Sequence, residues 1–321
     1  MRALARLLLR QAALLVVVAL AVFLLMKASP IDPVDAYLGP AIAHVGPEQK
    51  AQIAAAWGLD RPLPEQFAAW VGHILRGELG FSTTYNAPVA QVLTDRLGAS
   101  LALTGLAWLL SGCLGFTLGL IAAAWAESWL DRGIRVYCYL LAATPTFWLA
   151  MLMLAVFSVR LGWTPVCCAG PIGMPPDQVG LADRLHHLIL PLAALTLFGV
   201  AQIALHSRVK LIEVLQSDYV LLASAQGAGR LDIVLRHGLR NAGLPALTVL
   251  MASVGEIFGG SILAEQVFAW PGLGRAAVEA GTRGDVPLLL AIALLTALVV
   301  SCANLIADGL YRLIDPRLRL A

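Results

Sequence analysis

Val286-Pro287-Leu288-Leu289-Leu290-Ala291-Ile292-Ala293-Leu294-Leu295-Thr296-Ala297-Leu298-Val299-Val300-Ser301-Cys302-Ala303-Asn304-Leu305-Ile306-Ala307 contains no charged residue. At 1.5 Å of rise per residue a helix of this length crosses the apolar core of a bilayer, about 30 Å thick. Backbone groups in lipid must be satisfied within their own segment, so a continuous apolar run of this kind is helical rather than a barrel strand. Working back along the chain, comparable stretches lie at Asn241 to Ala264 (with Glu256 inside), Leu185 to Leu205, Val136 to Val159, Leu97 to Ala126 and Gln11 to Met26, the last extending back through Leu7 to Leu9. The expected fold is an all-α membrane protein with six transmembrane helices.

Composition agrees with this reading. Of 321 residues, 59% are hydrophobic and 13% charged, against about 25% charged in soluble domains; mean hydropathy is +0.80. A water-soluble enzyme is disfavoured, and a net charge of +2 provides no basic face for nucleic acid. The five cysteines, at 113, 138, 167, 168 and 302, form neither a metal-finger spacing nor an even disulfide framework.

Orientation follows from the basic residues. Arg2, Arg6 and Arg10 precede the first run, and Met26-Lys27-Ala28-Ser29-Pro30 is a poor cleavage site, so the run reads as an uncleaved anchor with its N-terminus inside. Six crossings return the C-terminus to the same side. Arg208, Lys210, Arg230, Arg236 and Arg240 then fall in one inside segment, and Arg312, Arg317 and Arg319 in the tail. The resulting division is 1–29 for the N-terminus and first helix, 30–96 for an external helical segment, 97–310 for the remaining core with an inside loop at 211–240, and 311–321 for an inside tail.

The external segment carries helix punctuation of its own. Pro47-Glu48 opens one run that Gly58 closes, and Pro64-Glu65 opens another, with Phe67, Val71, Ile74 and Leu75 on one side and Gly77 after it. Both are too short to span and should fold onto the outer face. On the inside, Ser217 and Asp218 open a helix that Gly227 ends, and a second short helix from Leu231 or Asp232 to Arg240 stops ahead of Pro245. Small residues at 223 to 225 would let the first helix seat in a partner's groove.

Ala223-Ser224-Ala225 and Gly227, followed by Arg236-His237-Gly238-Leu239-Arg240-Asn241-Ala242 and Pro245, resemble the Glu-Ala-Ala loop of permease subunits of bacterial ATP-binding-cassette importers of the peptide and nickel group. Further similarities run in order along the chain: Gly58-Leu59-Asp60-Arg61-Pro62-Leu63, Arg76-Gly77-Glu78-Leu79-Gly80, Pro145-Thr146-Phe147-Trp148, Phe268-Ala269-Trp270-Pro271-Gly272-Leu273-Gly274-Arg275, Asp285-Val286-Pro287, Asn304-Leu305-Ile306-Ala307-Asp308 and Asp315-Pro316-Arg317. The resemblance implies a type I importer permease in the bacterial inner membrane, with a second similar permease, two ATPases that carry ATP and magnesium, an extracytoplasmic solute-binding protein and the lipid bilayer as partners. It implies no cofactor on this chain and no nucleic acid. Residues Asp218, Tyr219, Ala223, Ser224, Ala225, Gly227, Gly229 and Pro245 would couple to the ATPases, and Glu65 and Arg76 would face the binding protein. Two departures stand out: Ala223 replaces the carboxylate that opens the motif, and Gln226 stands where relatives often carry lysine. The substrate is a peptide, nickel or a metal chelate; the Gly255-Glu256 and Gly259-Gly260 pairs look somewhat nickel-type.

The lysines, Lys27, Lys50 and Lys210, follow Met26, Gln49 and Val209, so none completes a phosphate-cradling Gly-Lys-Ser/Thr. Hydrolysis must come from a separate subunit. A second class, a secondary transporter, would rest on Glu256, flanked by glycines 255 and 259 that permit close helix approach; it faces the pore or a helix interface. An intramembrane hydrolase lacks both a Gly-x-Ser-x-Gly elbow and a His-Glu-x-x-His motif. Cys167, Cys168, His186 and His187 cluster near the outer end of the third and fourth spans, but adjacent cysteines chelate poorly, and the histidines read as interface anchors.

Overall fold

The computed structural model describes residues 2–28, 34, 45–56, 61–175 and 178–314. The expected helix stop at Gly58, the whole of Gly58-Leu59-Asp60 and the tail motif Asp315-Pro316-Arg317 lie outside them. The helices are α1 (Arg2–Ala28), α2 (Pro47–Ala56), α3 (Leu63–Leu75), α4 (Val89–Ala124), α5 (Trp129–Ala143), α6 (Thr146–Met153), α7 (Leu181–Leu215), α8 (Asp218–Ala225), α9 (Arg230–Ile233), α10 (Leu239–Ala252), α11 (Val254–Val267), α12 (Leu273–Arg283) and α13 (Val286–Ile314). Two short strands, β1 (Phe81–Ser82) and β2 (Ala87–Pro88), pair antiparallel with Phe81 opposite Pro88. This hairpin was not foreseen in an all-helical reading; its turn places Asn86 at φ 49, a conformation asparagine tolerates. Two compact units are formed by residues 1–100 with 271–302, and by 101–270 with 303–321.

Three helices, Val89–Ala124, Leu181–Leu215 and Val286–Ala307, are long and apolar enough to cross a membrane, and up to five crossings result if each of two bent pairs is one span. The first expected span contributes a shorter apolar helix, Leu9–Leu25.

The third expected span is not continuous. Trp129–Ala143 and Thr146–Arg160 meet at 105°, because Pro145 lacks an N–H and drives Thr144 out of helical geometry, to φ -93 and ψ 126. Thr144 Oγ1 donates to the Leu140 carbonyl at 2.7 Å, satisfying one acceptor at the break. Beyond α6 the helix widens into π-helical turns over Leu154–Arg160. The fifth expected span is likewise broken, by 49° at Ser253. There Ser253 Oγ and Trp108 Nε1 both donate to the Leu250 carbonyl, at 2.8 and 2.7 Å, and such side-chain insertion into the carbonyl ladder bends helices.

The short inside helix expected to stop at Arg240 does not stop. α9 passes through π-helical turns at Val234–Gly238 into α10, which runs through Pro245. Proline is tolerated inside membrane helices where neighbours and local π adjustments satisfy the freed backbone.

Within the first unit, buried Phe23 of α1 packs its ring 5.4 Å from Phe67 and 5.6 Å from Trp70 of α3. α3 therefore folds back onto the C-terminal part of α1. In the second unit, α4 and α7 cross closely. A Cβ at Gly115 would meet Ile203 Cβ at 2.8 Å, and one at Gly119 would meet the Ala204 carbonyl at 2.6 Å.

Candidate functional site

The inside loop is built around a tight stop. α8 ends at Gln226, and Gly227 takes φ +91. The Ala228 N–H donates to Ala223 O at 3.1 Å and the Gly227 N–H to Ser224 O at 3.0 Å, the paired bonds of a Schellman turn. Glycine is needed for the left-handed backbone, not for space, since a Cβ there would meet nothing within 4 Å. At the other end Ser217 occupies the cap position, but its hydroxyl donates back to Val214 O at 2.5 Å and caps nothing. Asp218 alone supplies the acidic first turn.

Val220 anchors α8 with 3% exposure, while Tyr219, Leu221 and Leu222 project 45%, 59% and 61% exposed. Ala223 is half-buried and Ser224 and Ala225 are exposed. α8 thus turns Val220 inward and leaves Tyr219, Leu221 and Leu222 as an exposed apolar face. Gly229 starts α9 at φ -73, ordinary backbone. Gly238 seats the following turns on α7, where an added Cβ would lie 2.6 Å from Leu211 Cδ1.

Glu256 is exposed on α11, as are Gly255 and Gly259, and a Cβ at Gly259 would meet nothing within 4 Å. Among the described residues nothing approaches Gly259 closely. α11 packs instead through Gly260, whose Cβ position lies 3.5 Å from Phe198, and through Ile257, against Gly199.

The motif after Pro271 has a defined structural job. α12 packs Leu273, Ala276 and Ala280 against Val89, Val92 and Leu93 of α4 and against Leu288, Ala291 and Ile292 of α13. Asp285, 1% exposed, caps α13 by accepting the Leu288 N–H at 3.2 Å, and also accepts Ser82 Oγ at 2.6 Å and the Thr84 N–H at 2.9 Å. Arg275 donates to Glu279 at 2.8 Å, Tyr85 donates to the other Glu279 oxygen, and Arg96 stacks 4.2 Å from the Tyr85 ring centroid. Glu65 and Arg76 lie exposed at the two ends of α3, and Gly77 follows at φ +81.

Burial and the bond to Glu279 push the Tyr85 phenol up to about 12. Burial works to raise Glu279, but hydrogen bonds from Tyr85 and Arg275, with the charges of Arg275 and Arg96, hold it below its ordinary value. The depressed carboxyl stabilises the outer unit above its unfolded pKa of about 4.3, and this is lost as pH falls through the folded value; the raised phenol contributes below about 10, lost as pH rises toward the folded value. Amide exchange across 81–88 should therefore show an acid step that Glu279→Gln removes and an alkaline step that Tyr85→Phe removes. Profiles unchanged by both variants would detach these groups from the unit's stability.

Cys167 and Cys168 are joined in a disulfide, with Cys113, Cys138 and Cys302 free, so the thiolates at 167 and 168 are not free as ligands. The reading missed it because adjacent cysteines form no spaced framework. His187 Nδ1 and His186 Nε2 bond the carbonyls of Cys167 and Trp163 at 2.9 and 3.0 Å. Both histidines thereby fix the loop before α7, and the Cys168 N–H donates to Phe268 O at 2.9 Å.

Sequence reasoning also passed over a charged cluster at the start of α5. Asp131, 0% exposed, receives a two-pronged contact from Arg208 of α7, Nε to Oδ1 at 2.6 Å and Nη2 to Oδ2 at 2.7 Å. The signal was available as lone charges at the edges of apolar runs, but no spacing rule pairs positions so far apart.

Three long apolar helices and two bent apolar pairs make this an all-helical membrane protein. The chain belongs to the family of binding-protein-dependent transport system inner membrane components, which matches residues 115–320, with the N-terminal component of such membrane proteins matching 1–104. AppB, an oligopeptide transport system permease protein of Bacillus subtilis, is 33% identical over 297 residues, 92% of each chain. DppB, a di/tripeptide transport system permease protein of Pseudomonas aeruginosa, is 35% identical over 319 residues, 94% of each chain. An inward-facing structure of the MetNI methionine ABC transporter matches with TM-score 0.58 at 16% identity, covering 71% of this chain and 98% of that one, and shares the fold. The protein is therefore a multi-pass inner-membrane permease subunit and not itself the ATPase; the family implies an importer complex with an ATPase and a binding protein.

Proposed function

We propose that this chain forms half of the translocation path of an ATP-driven importer of di- or oligopeptides. The observation that carries the reading is α8, with its glycine stop and its outward apolar face of Tyr219, Leu221 and Leu222. Asp218, Tyr219, Ala223, Ser224, Ala225, Gly227, Gly229 and Pro245 belong to this coupling region. Without a carboxylate at Ala223, docking on the ATPase rests on shape and apolar burial. Closure of two ATPases around ATP and magnesium would pull the α8 regions of two paired permeases together and rock them around a shared path. Six crossings serve that scheme: α1, α4, the bent pair α5–α6, α7, the bent pair α10–α11, and α13, with both termini cytoplasmic. The open face carrying Gly255, Glu256 and Gly259 would then meet the second permease or the pore.

Peptide is favoured over nickel or a metal chelate because relatives aligned along nearly the whole chain are named for peptides. The test is uptake of radiolabelled trialanine by proteoliposomes holding both permeases, both ATPases and the binding protein. Uptake should require ATP and the binding protein; uptake driven by a proton gradient alone would move the reading to a secondary transporter using Glu256. In the same system Glu65→Arg and Arg76→Glu should lower binding-protein-stimulated hydrolysis by about threefold at low salt, fading at high salt, as rim charges act chiefly on encounter rates. Equal stimulation at every salt concentration would remove these two residues from the receiving face.

A further inference from the structure

We infer that Asp131 is a shared carboxylate that passes from Arg208 to Arg135 as α7 shifts during the transport cycle, making these residues positioning residues for coupling. The inference rests on the coupling role proposed for α8.

Arg208 lies about two turns before the end of α7 at Leu215, and α8 follows after Gln216 and Ser217. Force applied to α8 reaches Arg208 before any other charged contact with α5. In the present arrangement Arg208 holds Asp131 through both nitrogens of its fork. The Glu127 N–H adds a third bond to Asp131 Oδ2 at 3.0 Å, and the Asp131 N–H is fixed by Ser128 Oγ at 3.3 Å. The carboxylate is thus pinned to the start of α5, and the mobile partner is the guanidinium.

Withdrawal of Arg208 alone would leave a fully buried carboxylate uncompensated, which is strongly unfavourable. A second cation is already in place. Arg135, one turn along α5, holds Nε 3.6 Å from Asp131 Oδ2, and that nitrogen is buried without a hydrogen bond. A small side-chain rotation would close the contact. Glu127 lies between the same two cations, its Oε1 3.6 Å from Arg208 and its Oε2 3.7 Å from Arg135. Two carboxylates and two guanidiniums therefore stay in balance with Asp131 on either partner.

Cys138 of α5 clusters with Ala201 and Ala204 of α7, and Ile134 and Leu141 of α5 and Leu205 of α7 pack around them, so α5 and α7 meet next to the charged group. A merely structural ion pair would need no spare arginine on the carboxylate's own helix. Arg135 already pairs with Glu127 and stands within reach of Asp131.

The experiment uses the complete reconstituted complex and two readouts. Spin labels at Trp129→Cys and Val209→Cys, both exposed, report the α5 to α7 distance without and with trapped ATP, and trialanine imported per ATP hydrolysed reports coupling. The distance should differ between the two states. Arg135→Gln should leave assembly with the ATPases intact, abolish that difference and reduce trialanine per ATP by about fivefold, the lower end of typical coupling between sites. Arg208→Lys should retain more coupling than Arg208→Gln, because the charge persists without the fork. A wild-type distance unchanged by ATP, or an Arg135→Gln complex that couples as wild type, overturns the exchange. A complex that shows the ATP-dependent distance change but imports no trialanine refutes the peptide reading and leaves the exchange standing.

Discussion

Gly227→Trp is expected to abolish uptake while the chain still inserts and accumulates in the membrane. A Cβ at 227 meets nothing within 4 Å among the described residues, so the side chain starts from open space. Its two effects are local. At φ +91 a residue with a Cβ is strained by about 1–2 kcal/mol, which favours unwinding the turn made by the Ala228 and Gly227 N–H bonds to Ala223 and Ser224. An indole projecting beside the exposed face of Tyr219, Leu221 and Leu222 would also block a partner's approach. A loss of at least about tenfold in ATP-dependent uptake is expected, since it corresponds to only about 1.4 kcal/mol of lost docking.

Two further variants separate backbone strain from obstruction. Gly227→Ala introduces the strain without the bulk and should lose a smaller part of the activity. Gly229→Ala lies two residues away at an ordinary φ of -73, with nothing near its Cβ, and should transport as wild type. Equal activity for Gly227→Trp and the parent, in a complex that purifies intact, would remove this turn from coupling.

The same turn shows how far sequence alone carries. Gly227 was legible because a left-handed stop after a short helix demands glycine, and local backbone chemistry of this kind can be read without tertiary knowledge. The apolar runs were legible because bilayer thickness sets a length. Their breaks were only half legible. Pro145 announced one, but an unbroken hydropathy run hid it, since hydropathy does not register direction. Ser253 announced nothing, because the bend depends on Trp108 reaching Leu250 from a distant part of the chain. Pro245 misled in the opposite sense, appearing to stop a helix that continues through it. Long-range polar partners were the least legible: neither the Asp131–Arg208 pair nor the contacts of Asp285 have a local periodicity to reveal them.

Asp285 provides the other large effect. Its carboxylate is buried and serves three donors: the Leu288 N–H at the start of α13, the Ser82 hydroxyl and the Thr84 N–H of the outer hairpin. Asp285→Ala removes a helix cap, which costs about 0.5–2 kcal/mol. It also leaves the two hairpin donors to find other partners, at about 1–3 kcal/mol for each that stays buried and unsatisfied. A total of about 3–5 kcal/mol falls on one compact region of the outer unit. The apolar helices need no cap to partition into lipid, so insertion should persist while residues 81–88 become open to protease and rapid amide exchange. Asp285→Asn should be milder, because the amide oxygen still accepts a bond from one side while its NH2 turns away from the donors. Ser82→Ala removes one donor to Asp285 and the acceptor of the Tyr85 N–H, and should cost about 1–2 kcal/mol. In a double-mutant cycle Asp285→Ala and Ser82→Ala should be less damaging together than the sum of the single changes, because the alanine at 82 removes one of the orphaned donors. Additive effects, or an outer hairpin that keeps its protection in Asp285→Ala, would show that α12 and the apolar cluster around Leu273 and Leu288 hold this unit without the carboxylate.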